Sequence, residues 1–219
     1  YAAGKFRKVY EETNGEDGYA LGQLNPSICM DSELMIQQGL RYASWADNIS
    51  VKTPTIKSAL PLVEELASRG IAVCTTLNFS VSQAIAVGEA YMRGRNRALS
   101  AGISPKPIFV VQQGGRLDEY LLETARDNQI SIDPAVIQYA GNAVCKKVYK
   151  LFKERKIPAR VMPAGLRGIH HLTSMAGADM TFSLQARIQK MVIEAAPEQK
   201  CHIDEEISPV IIRELYKLP

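Results

Sequence analysis

Residues 49–80 read ISVKTPTIKSALPLVEELASRGIAVCTTLNFS, and the order of elements in this stretch decides the fold. The run 49–53 meets Pro54, which has no N–H for a sheet ladder and sets the following turn. Leu60, Val63, Leu66 and Ala67 then recur at helical spacing over 57–68, and Gly70 ends that helix. A second apolar strand follows at 72–77, and Ser80 opens the next helix. Strand, helix, strand, helix is the pattern of repeated βα units and a parallel sheet.

The alternation extends in both directions. Upstream, a strand at 19–24 precedes a helix over 31–46, capped by Asp31, with Leu34, Ile36, Leu40 and Ala43 on one side. Downstream, strands are expected at 108–111, 160–164 and 180–182. A long helix should begin at Asp133-Pro134 and run through Phe152, and a shorter one should lie between Gly168 and Gly177. No Gly-x-Gly-x-x-Gly turn follows any strand, and polar residues gather at strand C-termini, so a closed barrel is preferred to an open doubly wound sheet. The expected fold class is α/β, a (β/α)8 TIM barrel. Six strands are short of the roughly eight such a barrel needs, so the first two βα units are expected before Tyr1. Residues 1–219 read as a single barrel domain from roughly the third strand to the C-terminus.

With 26 Lys plus Arg against 23 Asp plus Glu, the formal charge is only +3, which is no footprint of a nucleic-acid binder. Hydrophobic residues make up 46% of the chain and charged ones 22%, enough to bury a large core and too ordered a composition for a disordered chain. No apolar stretch approaches the about 18 residues that would span a bilayer, so no membrane partner is expected. Cys29, Cys74, Cys145 and Cys201 lie far apart, matching neither a zinc ribbon nor a dense disulfide scaffold; reduced thiols in a cytoplasm fit best.

Lys52 is the first candidate for chemistry. A lysine held among apolar walls loses the hydration of its charged form, and its neutral amine can attack a carbonyl to give a Schiff base. By spacing alone, a solvated strand-end lysine is the commoner case.

The surrounding stretches carry more. Ile49-Ser50-Val51-Lys52-Thr53-Pro54-Thr55, then Thr75-Thr76-Leu77-Asn78-Phe79-Ser80, and downstream Gly115-Arg116-Leu117-Asp118 and Pro163-Ala164-Gly165-Leu166-Arg167 resemble the transaldolase family from about residue 6 to 192. The resemblance implies a class I (Schiff-base) aldolase or transaldolase of carbohydrate metabolism in the pentose phosphate pathway, needing no metal or other cofactor. It implies that a three-carbon ketol unit of a sugar phosphate is cleaved off or transferred. Lys52 takes the nucleophile position, and Thr76 with Gln23 the positions that handle the catalytic water. Arg116 and Arg167 take the phosphate-binding positions, and Cys74, Asn25 and Ser80 complete the substrate-binding set. Barrels of this family commonly self-associate, so a homo-oligomer is implied as well.

The departures from the family pattern bear on rate and substrate. Gln23 stands where transaldolases usually carry a glutamate, and an amide orients water without ionising; the fructose-6-phosphate aldolase branch also has glutamine there. Cys74 replaces an asparagine, Val111 a serine, Gln113 an aromatic residue and Gly165 a phosphate-binding serine. Together they point to an unusual substrate, to weak turnover, or to a sugar-phosphate-binding barrel that lost its chemistry. Gln112 and Gln113 add polar groups, read as exposed loop amides. His170 and His171, adjacent on a helix and about 100° apart, are expected to cap, to face solvent or to play a minor role near the phosphate rather than to share a metal.

Overall fold

The computed structural model describes residues 1–198 and 200–219. Five strands, β1 (Ala20–Gln23), β2 (Ile49–Pro54), β3 (Val73–Asn78), β4 (Ile108–Gln112) and β5 (Arg160–Pro163), form one parallel sheet in sequence order. This is the TIM-barrel-like arrangement, with the sheet open rather than closed. By its internal contacts the chain divides into two compact units.

The first unit comprises Tyr1–Asn78, Ser82–Val111 and Phe152–Arg160. It holds α1 (Ala2–Glu12), α2 (Ser32–Ala43), α3 (Leu60–Ser68) and nearly all of α4 (Val81–Ser100). Asp31 caps α2 as expected, its carboxylate accepting from the Leu34 N–H at 3.0 Å. Met35, Val51, Leu62, Leu66 and Val73 are fully buried between helices and sheet. Two glycines make this packing close enough. A Cβ on Gly39 would lie 3.2 Å from Leu62, and one on Gly94 would lie 2.2 Å from the Glu64 carbonyl oxygen, so α4 can cross α3 only where the side chain is absent.

The second unit comprises Phe79–Val81, Gln112–Leu151 and Val161–Pro219. It holds α5 (Gly114–Asp127), α6 (Pro134–Ile137), α7 (Ala140–Glu154), α8 (His170–Thr173), α9 (Ala186–Ala195) and α10 (Pro209–Leu215). Ala125, Ile137 and Leu218 form a small buried cluster there, enlarged by Leu121, Ile130 and Leu215.

Three expectations change. The helix expected over 133–152 is broken after Ile137, because the Gly141 N–H donates to Asp118 Oδ1 at 2.7 Å instead of closing the next helical turn. Gly141 also packs on Gly114, where a Cβ would come within 2.4 Å of the Gly114 oxygen. The helix expected over 168–177 shrinks to the single turn of α8. The strand expected at 180–182 is not a strand, although the Thr181 and Ser183 N–H groups donate to the Val161 and Pro163 carbonyls at 3.2 and 3.0 Å. The reciprocal donor to Thr181 would be Pro163, which has none, so no ladder forms. Among the described residues no helix is long and apolar enough to cross a membrane.

Candidate active site

In the first unit, strand register places the polar residues. Gln23 pairs with Lys52 across β1 and β2, Lys52 with Cys74 across β2 and β3, and Pro54 with Thr76 two positions on. Register partners in a parallel sheet share a face, and residues two apart in a strand do so as well. Gln23, Lys52, Cys74 and Thr76 are therefore on one face, with Ser50. The alternate residues meet the helices: Thr53 Oγ1 lies 4.0 Å from Met35 Sδ, and Val51 packs beside Gly39.

Lys52 is half-buried on that face. Cys74 is fully buried; burial pushes its thiol up to about 12, and the nearby positive charge of Lys52 pulls the other way. Gln23 is exposed, and its amide donates to the backbone carbonyls of Lys52 at 3.2 Å and Leu24 at 3.3 Å. Thr76 is buried, and the next residue, Leu77, has φ +64°, a left-handed backbone that a leucine adopts only under constraint. Gln83 supplies part of that constraint by donating to the carbonyls of Leu77 and Thr55. Asn25 acts locally, its side chain accepting from the Ser27 N–H at 3.0 Å and capping a short turn. Ser80, which belongs to the second unit, is half-buried just ahead of α4.

Among the buried polar residues of this unit that sequence reasoning did not single out are Ser50 and Asn78. Asn78 donates to the Val111 carbonyl at 2.9 Å, while its Oδ1 and the Ser50 Oγ have no hydrogen-bond partner among the described residues. The period-two relation of Ser50 to Lys52 was the available signal.

In the second unit, Arg116 and Arg167 converge on Glu119. Arg167 grips the carboxylate with two nitrogens, Nη2 donating to Oε2 at 2.8 Å and Nε to Oε1, and Arg116 Nη1 donates to the same Oε2 at 3.0 Å. Arg167 Nη1 also donates to the Gly165 carbonyl at 2.6 Å. Hydrogen bonding from Arg167 first, then Arg116, holds the Glu119 carboxyl below the usual carboxylate range. Gly165 has φ +66°, and a Cβ there would meet Gln113 Oε1 at 3.0 Å and Arg116 Cγ at 3.1 Å. A side chain at 165 would crowd both.

Behind Arg167 lies a buried pair. His171 is 1% exposed, its Nε2–H donating to Asp118 Oδ2 at 2.9 Å while Nδ1 accepts from the Arg167 N–H at 3.4 Å. Of the expected alternatives, solvent exposure is corrected for His171, which α8 turns inward against the Arg167 segment. Asp118, His170 and His171 bring donor atoms within 4.8 Å of one another, against the expected divergence of adjacent histidines. Both ring nitrogens of His171 and both Asp118 oxygens have partners in the chain, whereas the buried His170 Nε2 has no hydrogen-bond partner among the described residues. Gln112 is also corrected: it is 1% exposed in β4, not a loop amide. Asp118 and Glu119 were missed as site residues; they stand two and three positions after Arg116 in α5.

A parallel α/β sheet carrying its polar residues along one face of β1, β2 and β3 defines a barrel-class protein with a candidate active site. The chain belongs to the transaldolase/fructose-6-phosphate aldolase family, whose model matches residues 3–217. It is similar to a protein named Transaldolase 1 in Streptomyces avermitilis, 33% identical over 135 residues, covering 58% of this chain and 36% of that one. It is also similar to a transaldolase of Trichodesmium erythraeum, 38% identical over 99 residues, or 44% of this chain and 26% of that one. The matches thus span about a third or less of those relatives' own length.

Proposed function

We propose that this protein is a class I aldolase or transaldolase that acts on a phosphorylated ketose through a Schiff base on Lys52. The observation that carries the reading is the shared face of Gln23, Lys52, Cys74 and Thr76, in a chain of this family. The Lys52 amine adds to the ketone and water leaves, giving an iminium. The bond between the adjacent carbon and the next hydroxyl-bearing carbon then breaks, its electron pair moving into the iminium to form an enamine, while the hydroxyl on that farther carbon gives its proton to a bound water and becomes the aldehyde carbonyl. The aldehyde departs. The enamine either takes up an acceptor aldehyde, which is transfer, or a proton, which is simple cleavage, and hydrolysis frees the lysine.

Thr76 can both donate to and accept from that water. Gln23 can orient it but cannot ionise, and its Nε2 already donates to the Lys52 and Leu24 carbonyls. That supports slow proton transfer and a balance shifted toward aldol cleavage. Arg116 and Arg167 are given to the phosphate, for which a guanidinium fork is suited. Asn25, Cys74 and Ser80 are assigned to the rest of the substrate, and the protein is read as cytoplasmic and self-associating.

A second reading, a sugar-phosphate-binding barrel without turnover, is favoured by the buried thiol of Cys74 in place of a hydrogen-bonding amide. The test is release of the aldehyde product from fructose 6-phosphate, with and without an added acceptor aldehyde. Wild-type turnover that Lys52→Ala lowers by about a thousandfold or more supports the enzyme. Unchanged turnover in Lys52→Ala removes the Schiff base, and phosphate-dependent stabilisation without product favours the second reading.

A further inference from the structure

The two cations assigned above to a phosphate already share an anion supplied by their own unit. Glu119 stands three residues beyond Arg116 on α5, and its two carboxylate oxygens fill the fork of Arg167 while one of them also meets Arg116. This is the in-plane, two-oxygen arrangement by which a guanidinium also holds phosphate. Arg167 is the better protected partner, its side chain 26% exposed against 42% for Glu119 and 62% for Arg116. The Arg167–Glu119 contact is accordingly less screened by water than the Arg116–Glu119 contact. Two cations and one carboxylate leave a formal charge of +1 where a pair of free arginines would offer +2.

We propose that Glu119 is a specificity-determining residue, a built-in carboxylate that occupies the two-arginine site and is displaced only by a phosphate monoester. The proposal rests on the phosphate-binding reading of Arg116 and Arg167 given above. A carboxylate ligand, or any singly charged anion, would exchange one equivalent anion for another and gain little. A phosphate monoester dianion brings a second charge and a third oxygen, so it can neutralise both arginines at once and release Glu119 into solvent, which already reaches it. Because Arg167 and Arg116 hold its carboxyl below the usual range, Glu119 stays ionised throughout the neutral region and the competition persists there.

The experiment is calorimetric titration of the full chain with inorganic phosphate, and in parallel with acetate, for wild type, Glu119→Gln and Glu119→Ala. Removing the internal anion should tighten phosphate binding by about tenfold or more. Acetate should become measurable only in the variants, and Arg167→Ala in the Glu119→Gln background should abolish the gain. Unchanged or weaker phosphate binding in both variants, with wild type still binding, overturns the proposal and makes Glu119 an orienting group; the arginine reading would survive. Phosphate binding in none of the three proteins removes both the proposal and the arginine reading.

Discussion

The row Gln23–Lys52–Cys74 and the trio Arg116–Glu119–Arg167 are assembled by different means. The row is fixed by backbone register: once β1, β2 and β3 pair in parallel, the three side chains share a face whatever their chemistry. The trio depends on side chains from α5 and from the segment before α8 meeting on one carboxylate. The segment of Arg167 is held in turn by the buried Asp118–His171 pair. The first arrangement follows from backbone pairing and does not depend on residue type. The second is sensitive to single supporting contacts.

That contrast breaks most sharply at Asp118. Asp118→Ala leaves the buried His171 ring and the Gly141 N–H without their partner, and should cost about 1–3 kcal/mol of stability for each buried donor left unsatisfied. Urea unfolding measures the loss. A cost within experimental error would mean that the pair does not hold the second arrangement together.

A smaller effect follows from pH. Burial first, and then the neighbouring His171, holds the His170 imidazole below its usual value, with Asp118 opposing. The folded state thus resists protonating His170, while the unfolded chain takes up a proton near the ordinary histidine pKa of about 6.5. Stability should fall as the pH drops from 7 through that value, and His170→Gln should remove part of the fall in urea midpoints. A midpoint that rises on acidification and is unaffected by His170→Gln contradicts this.

The smallest expected change concerns the row. Cys74 is buried with its thiol pushed up to about 12, while Cys201 is exposed. Mild alkylation at pH 8 should modify Cys201 and spare Cys74 until the protein unfolds, as peptide mass mapping would show. Early labelling of Cys74 would mean that the face carrying Lys52 opens in the folded protein.

Much of the fold was legible because it is periodic. The residues around 49–80 announce their own alternation, and β1 to β5 lie where short apolar runs end in turn residues. What could not be read depends on partners distant in sequence. The break after Ile137 comes from Asp118, 23 residues from Gly141, and the failed strand at 180–182 comes from the missing N–H of Pro163. In the candidate site, Lys52 stood out at a strand end and Gln23, Cys74 and Thr76 through the family resemblance, and period-two geometry explains their common face. Glu119 did not stand out, since an acidic residue on a helix is ordinarily solvated; only its contact with Arg167, 48 residues away, distinguishes it.

The Schiff base itself can be trapped by borohydride reduction in the presence of fructose 6-phosphate, followed by peptide mass mapping. A stable substrate-derived adduct is expected on the peptide containing Lys52, absent from Lys52→Ala. An adduct on a different lysine, or none while substrate is consumed, would contradict the role given to Lys52.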